Sequence, residues 1–205
     1  MSFILFIKIF FICLFGAMSP GPSMLVIINK ALESKLNGFM ASVGHGLGIG
    51  IYALFAVIGL ELLSQNFYNI FFILKIISII FLFYLGISSF LDNKVNQEIT
   101  KKQKKIYNYH AFADGFVISI LNPKIFIFFT AIYSQFISQE NDNFLNFTLV
   151  MTATIVDTLW YLTLTILVAY LHLKKISDQK VIMVKKIVGL LFIFISIALT
   201  INLFL

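Results

Sequence analysis

Two ionisable side chains stand where the chain is otherwise almost unbroken hydrocarbon: Lys124 in "ISILNPKIF" and Asp157 in "TIVDTLWYLT". A charge inside such a run is costly, and it faces a protein interior or a wet cavity rather than lipid. Asp157 lies roughly 13 residues, or about 20 Å at helical rise, from the start of its apolar run. Lys124 directly follows Asn122-Pro123, and Asn122 is about ten residues, or 15 Å, into its own run. Their depths match, so a Lys124–Asp157 pair across a cavity is geometrically reasonable. Trp160 and Tyr161, at i+3 and i+4 from Asp157, share its helical face. An aromatic wall beside a carboxylate suits a substrate ammonium; the same residues also fit a buried structural pair with packed aromatics. One carboxylate can exchange a proton for a cationic group, which makes Asp157 the candidate for proton coupling.

The chain's three prolines, Pro20, Pro22 and Pro123, all fall inside apolar runs and none in a loop. Proline has no N–H and its ring strikes the carbonyl four residues back. Pro20 and Pro22 therefore strand the Gly16 and Met18 carbonyls, and Pro123 strands that of Ser119. The residues before them, Ser19, Gly21 and Asn122, are pushed toward extended backbone. Ser19-Pro20 and Asn122-Pro123 each read as a helix N-cap followed by proline at the first helical position. Each run then consists of one half-helix that ends and another that begins at membrane depth. Freed backbone groups survive there only if buried in protein or lining a wet cavity, and the new N-termini suit an anionic group. A simple proline kink is the alternative for either run taken alone.

The elements that must position these residues follow from composition. The 205 residues are 60% hydrophobic, against about 45–50% in a soluble domain, and the mean hydropathy is +0.98. Runs of about 20 apolar residues span a bilayer. Six are present, roughly 3–28, 38–63, 67–91, 112–137, 144–171 and 181–205. The first has some signal-peptide character around Lys8 and Ala17, but its prolines and its continuation to Ile28 favour a retained helix. The predicted fold is an all-α integral membrane protein, a single transporter-like domain over 1–205. Repeat 1 covers about 1–91, a lysine-rich link about 92–111, and repeat 2 about 112–205. The broken runs are the first and the fourth, corresponding members of two three-helix halves. Three being odd, the halves must be inverted, and paired broken helices in inverted repeats mark a transporter site.

Lysines separate the two sides. Lys30 and Lys35 follow the first run; Lys94, Lys101, Lys102, Lys104 and Lys105 follow the third; Lys174, Lys175, Lys180, Lys185 and Lys186 follow the fifth. The other links hold Glu61, Glu140 and Asp142 and no lysine. Positive loops stay cytoplasmic, which puts both termini outside. The net charge of +6 is thereby explained as topogenic, with no nucleic-acid partner. All 15 basic residues are lysine, so no arginine fork is available for bidentate anion binding.

The remaining polar residues carry weaker signals. Asp114, near the cytoplasmic end of the fourth run, reads as solvated or gating, and Lys75 as a snorkelling side chain. His45 in "VGHGLGIG" reads as a packing residue. Gly44, Gly46, Gly48 and Gly50 allow close helix approach and would permit a homodimer. The single cysteine, Cys13, excludes a paired-thiol redox carrier. Zinc-protease, phosphate-loop and nucleophile–base patterns are missing, so neither an enzyme nor a cofactor is expected. His45, His110 and His172 are far apart in sequence, which disfavours a metal or small-ion exporter, the nearest rival class.

"SPGPSMLVI", "GFMASVGHGLGIGIYALFAVIGL", "LNPKIFIFFTAIYSQFI" and "DTLWY", in that order, resemble the LysE/RhtB family of amino-acid exporters over essentially the whole chain. The resemblance implies an inner-membrane exporter, driven by the proton-motive force, that moves amino acids such as lysine, arginine, threonine, homoserine or leucine out of the cell. Carried over by motif, it marks Pro20, Gly21, Pro22, Asn122, Pro123, Lys124 and Asp157 as the substrate site; Ser19, Trp160 and Tyr161 join them from the residue reading. The link after the first run, often arginine-bearing in the family, has only Lys30 and Lys35 here.

Overall fold

A computed structural model of the protein describes residues 3–91, 108–137, 143–170 and 178–204. These residues form eight helices: α1 (Phe3–Met18), α2 (Pro22–Glu33), α3 (Lys35–Asn66), α4 (Tyr68–Leu91), α5 (Asn108–Ile120), α6 (Pro123–Tyr133), α7 (Asn143–Tyr170) and α8 (Asp178–Phe204). Four of the helices are long and apolar enough to cross a membrane, and the count rises to six if each bent pair is one span. The bent pairs are α1–α2, turned by 68°, and α5–α6, turned by 55°. Both bends fall at the prolines, where the missing donor interrupts the ladder. Lys94, Lys101, Lys102, Lys104, Lys105, Lys174, Lys175, Glu140, Asp142 and His172, on which much of the sidedness reading rests, lie outside the described residues.

The bundle is turned inside out relative to a soluble protein. Phe55, Ile80 and Phe194 are each more than 60% exposed on its outer surface, while Ser42, His45, Asp157 and Thr165 are buried within. Hydrocarbon solvates the first group, and helix partners satisfy the second. An apolar cluster that includes Ile9, Ile49, Phe129, Tyr133, Leu149 and Phe192 ties α1, α3, α6, α7 and α8 together. The Tyr133 hydroxyl donates to the Leu149 carbonyl at 2.7 Å, fastening α6 to α7. Ser34 separates α2 from α3 and caps α3, its hydroxyl accepting from the Asn37 N–H at 3.0 Å.

The helix α3 lies wedged between α5 and α7, and its glycines make that possible. A Cβ on Gly44 would strike the Phe112 carbonyl of α5, and one on Gly48 would strike Ser119. From the opposite face, Gly46 and Gly50 meet Thr158 and Thr154 of α7. Gly115 of α5 returns the contact against the Ala41 carbonyl. The glycine pattern is thus consumed inside the chain, and that face of α3 is closed to a second copy. In the same way, α4 and α8 meet at Gly86 and Gly189, where a Cβ on either would come within 2.8 Å of the other's carbonyl oxygen.

Gly44→Ala and Gly115→Ala each press a methyl against opposing backbone, so each is expected to cost about 1–3 kcal/mol. Gly59 has nothing within 4 Å of an added Cβ, and Gly59→Ala is expected to stabilise α3 by up to about 1 kcal/mol. Thermal unfolding of the three purified variants in detergent checks the opposite signs.

Candidate functional site

The two breaks face one another and satisfy each other's polar groups. At the second, Asn122 caps α6 as expected: its side-chain oxygen accepts from the Lys124 N–H at 3.1 Å, and Pro123 opens the helix. Its amide nitrogen reaches across to donate to Ser23 Oγ at 3.1 Å. The Lys124 ammonium makes the return crossing and donates to Ser19 Oγ. Tyr52 of α3 donates its hydroxyl to the Ile120 carbonyl at the end of α5.

At the first break the cap differs from the sequence expectation. The helix α2 starts at Pro22, its cap is the extended Gly21, and no side chain caps it. A second proline two residues after the first holds Gly21 extended and postpones the helix. That leaves the Ser19 hydroxyl free to meet Lys124. Gly21 lies beside the same ammonium, since a Cβ there would stand 3.9 Å from Lys124 Nζ.

Between the breaks and the middle of α3 and α7 lies a cavity of about 50 Å³. Ser19, Gly21, Asn122, Lys124, Asp157 and Tyr161 line it, as the sequence suggested. The prolines shape it from outside: Pro22 and Pro123 are exposed and Pro20 is half-buried, and none of the three reaches the cavity wall. Cys13, Ile49, Ile125 and Phe129 supply apolar wall. Two half-helix N-termini and one ammonium therefore converge on one small space, an arrangement that attracts an anionic group.

Two sequence expectations are corrected here. Asp157 pairs with His45, Nδ1 to Oδ2 at 2.7 Å, and not with Lys124. Lys124 makes no ion pair among the described residues, and its ammonium is held by Ser19. The sequence favours packing for His45, since the apolar run that starts at 38 puts it only about 10 Å deep. The helix starts earlier, at Lys35, and His45 is ten residues, or about 15 Å, into it. The second correction concerns Trp160. Tyr161 packs edge-on against His45, ring centroids 4.7 Å apart. Trp160 instead lines a separate apolar groove of about 500 Å³ between α1 and α7, with Phe6, Phe10 and Phe147. Residues i+3 and i+4 fall on either side of the Asp157 direction, and only one of them reaches the narrow cavity.

A second polar contact joins the two bent helix pairs away from the cavity. Lys30 of α2, 7% exposed, lies 2.8 Å from Asp114 of α5 and 3.5 Å from Glu33. Asp114 is thus a partner of Lys30 and not simply solvated. Lys75 of α4 lies over the Phe71 ring at 4.9 Å. Among the described residues no group of three or more His, Cys, Asp or Glu side chains is placed to hold a metal ion.

Residues 14–203 match the sequence model of the LysE type translocators, which spans both breaks and the cavity. The chain belongs to that family. Among its relatives, the uncharacterized membrane protein YrhP of Bacillus subtilis is 28% identical over 189 residues, 85% of this chain and 88% of its own. The uncharacterized membrane protein slr1627 of Synechocystis sp. is 30% identical over 148 residues, 69% and 71% of the two chains. No solved structure matches significantly. The protein is a multi-pass membrane translocator, in which the cavity between the breaks is the candidate substrate site.

The Lys30–Asp114 contact in this translocator is lopsided, and the asymmetry is measurable. Asp114→Asn strands a buried ammonium with only the longer Glu33 contact, at an expected cost of about 1–3 kcal/mol. Lys30→Met leaves a carboxylate whose side chain is 50% exposed, and should cost less than about 1 kcal/mol. Chemical unfolding of both variants in detergent tests the order, and the exchanged pair Lys30→Asp/Asp114→Lys should recover part of the loss.

Proposed function

We propose that this translocator exports amino acids from the cytoplasm across the inner membrane by proton-coupled alternating access. The reading is carried by one observation: two half-helix N-termini, the Lys124 ammonium and the Asp157 carboxylate all border one buried cavity. An amino acid carries one group for each end of that cavity. Its carboxylate meets Lys124 and the N-termini of α2 and α6; its ammonium turns toward Asp157, with Tyr161 beside it. Ser19, Gly21 and Asn122 hold the two breaks at the right separation, and Pro20, Pro22 and Pro123 create them.

In this reading α1–α2 and α5–α6 are the first and fourth of six spans, and the two three-span halves are inverted copies that rock around the cavity. The pairings of α3 with α7 and α4 with α8 support it, because a two-fold exchange of the halves maps each pair on to itself. Lysine distribution supports cytoplasmic placement of the α2–α3 link and outer placement of both termini. Asp157 couples transport to protons by holding a proton or the substrate ammonium in turn.

Cells expressing the protein and fed dipeptides are expected to accumulate one amino acid outside, and a protonophore should abolish the accumulation. Lys124→Ala and Asp157→Asn should each reduce the efflux by at least about tenfold. No efflux from well-expressed protein would overturn the amino-acid reading. A change in metal tolerance in the same cells would put ion export in its place.

A further inference from the structure

His45 is the most enclosed polar side chain of the cavity wall, 1% exposed. Its Nδ1 is taken up by Asp157 at 2.7 Å. Its Nε2 is buried and has no hydrogen-bond partner in the protein, although the residue borders the cavity. An unmet buried ring nitrogen is costly, and such an atom at a cavity wall is met by whatever the cavity holds. With Asp157 ionised, Nδ1 keeps its hydrogen and donates it to the carboxylate, so the ring gains or loses a proton only at Nε2. With Nε2 protonated the His45–Asp157 dyad is neutral; without that proton it carries one negative charge.

We infer that His45 is the proton-carrying residue of the transport cycle, and that a proton on Nε2 and the substrate ammonium compete for the His45–Asp157 dyad. The inference rests on the export reading and moves the proton from Asp157 to its partner. On the cytoplasmic side the Nε2–H bond breaks, the proton leaves to water, and the arriving ammonium meets a dyad of charge −1. On the outer side a proton from water forms the Nε2–H bond, the dyad becomes neutral, and the ammonium loses its counter-charge and leaves. One proton enters for each amino acid that exits. Lys124, on the same cavity, remains the partner of the substrate carboxylate.

Other titratable groups around the ring are consistent with this assignment. From α7 come Asp157 and Tyr161, from α6 Lys124 and from α1 Cys13, all on the same cavity. The helices α2 and α5, which also pack on α3, contribute Lys30, Glu33 and Asp114, and these engage one another. Lys75 of α4 is turned to Phe71. His110 of α5 is exposed.

The test uses the full-length protein in liposomes, with a uniformly labelled amino-acid mixture as probe. Wild type should show counterflow without a pH gradient and accumulation driven by one. His45→Gln can still bond to Asp157 but cannot take up a proton. Whatever level of counterflow it retains should be flat from about pH 5.5 to 7, and gradient-driven accumulation relative to that counterflow should fall by about tenfold or more. In weakly buffered detergent solution, the mixture should release protons from wild type and none from His45→Gln. Gradient-driven accumulation or proton release that survives in His45→Gln overturns the inference and leaves the export reading standing. Absence of counterflow in wild type removes the export reading and this inference with it. Should His45→Gln not fold, histidine-selective nitrogen spectra of wild type decide. An imidazole whose Nε2 loses its proton on addition of the mixture supports the assignment, and unchanged spectra overturn it.

Discussion

Hydrocarbon offers no hydrogen bonds, so every peptide group freed by a helix break has to find its partner inside the protein. This chain bends twice inside its apolar runs, and the two bends face one another across side-chain hydrogen bonds. Asn122 caps its own half-helix and reaches Ser23 of the other, and Lys124 reaches Ser19. Tyr52 takes up the Ile120 carbonyl at the end of α5. The cavity lies between the two bends so joined.

Close packing is the second half of the arrangement. To bring His45 against Asp157, α3 must approach α7 more nearly than ordinary side chains allow, and Gly46 and Gly50 permit it. Gly44 and Gly48 do the same toward α5. The run "GHGLGIG" therefore serves a polar contact through apolar means: the glycines remove bulk so that the one histidine among them can touch a carboxylate on the neighbouring helix. Further along, Lys30 and Asp114 join α2 to α5, so the two bent helix pairs are tied both at the cavity and away from it.

The apolar runs were legible because bilayer thickness sets their length: four of the six correspond to single long helices, and the first and fourth to the bent pairs α1–α2 and α5–α6. The breaks were legible because three prolines in hydrocarbon admit few explanations. Partners were less so. Depth along a helix can be counted from its end, but the direction a residue faces around the bundle depends on how the helices are rotated. Lys124 and Asp157 were correctly placed at one level on one cavity, yet Asp157 turned to His45. Trp160 and Tyr161 were assigned one face of α7, and a rotation of less than half a turn sent Trp160 to the outer groove. The cap at Gly21 instead of Ser19 turned on a competition between two neighbouring prolines that spacing alone does not resolve.

The cavity holds about 50 Å³, room for a few waters and about a third of the space that admits a benzene molecule in a protein core. An amino acid, the proposed substrate, is at least as large as benzene. To receive one, the helices that line the cavity have to part. Loading is therefore work done against the protein's own packing, and the tightness of that packing becomes one of the quantities that set how readily this translocator turns over.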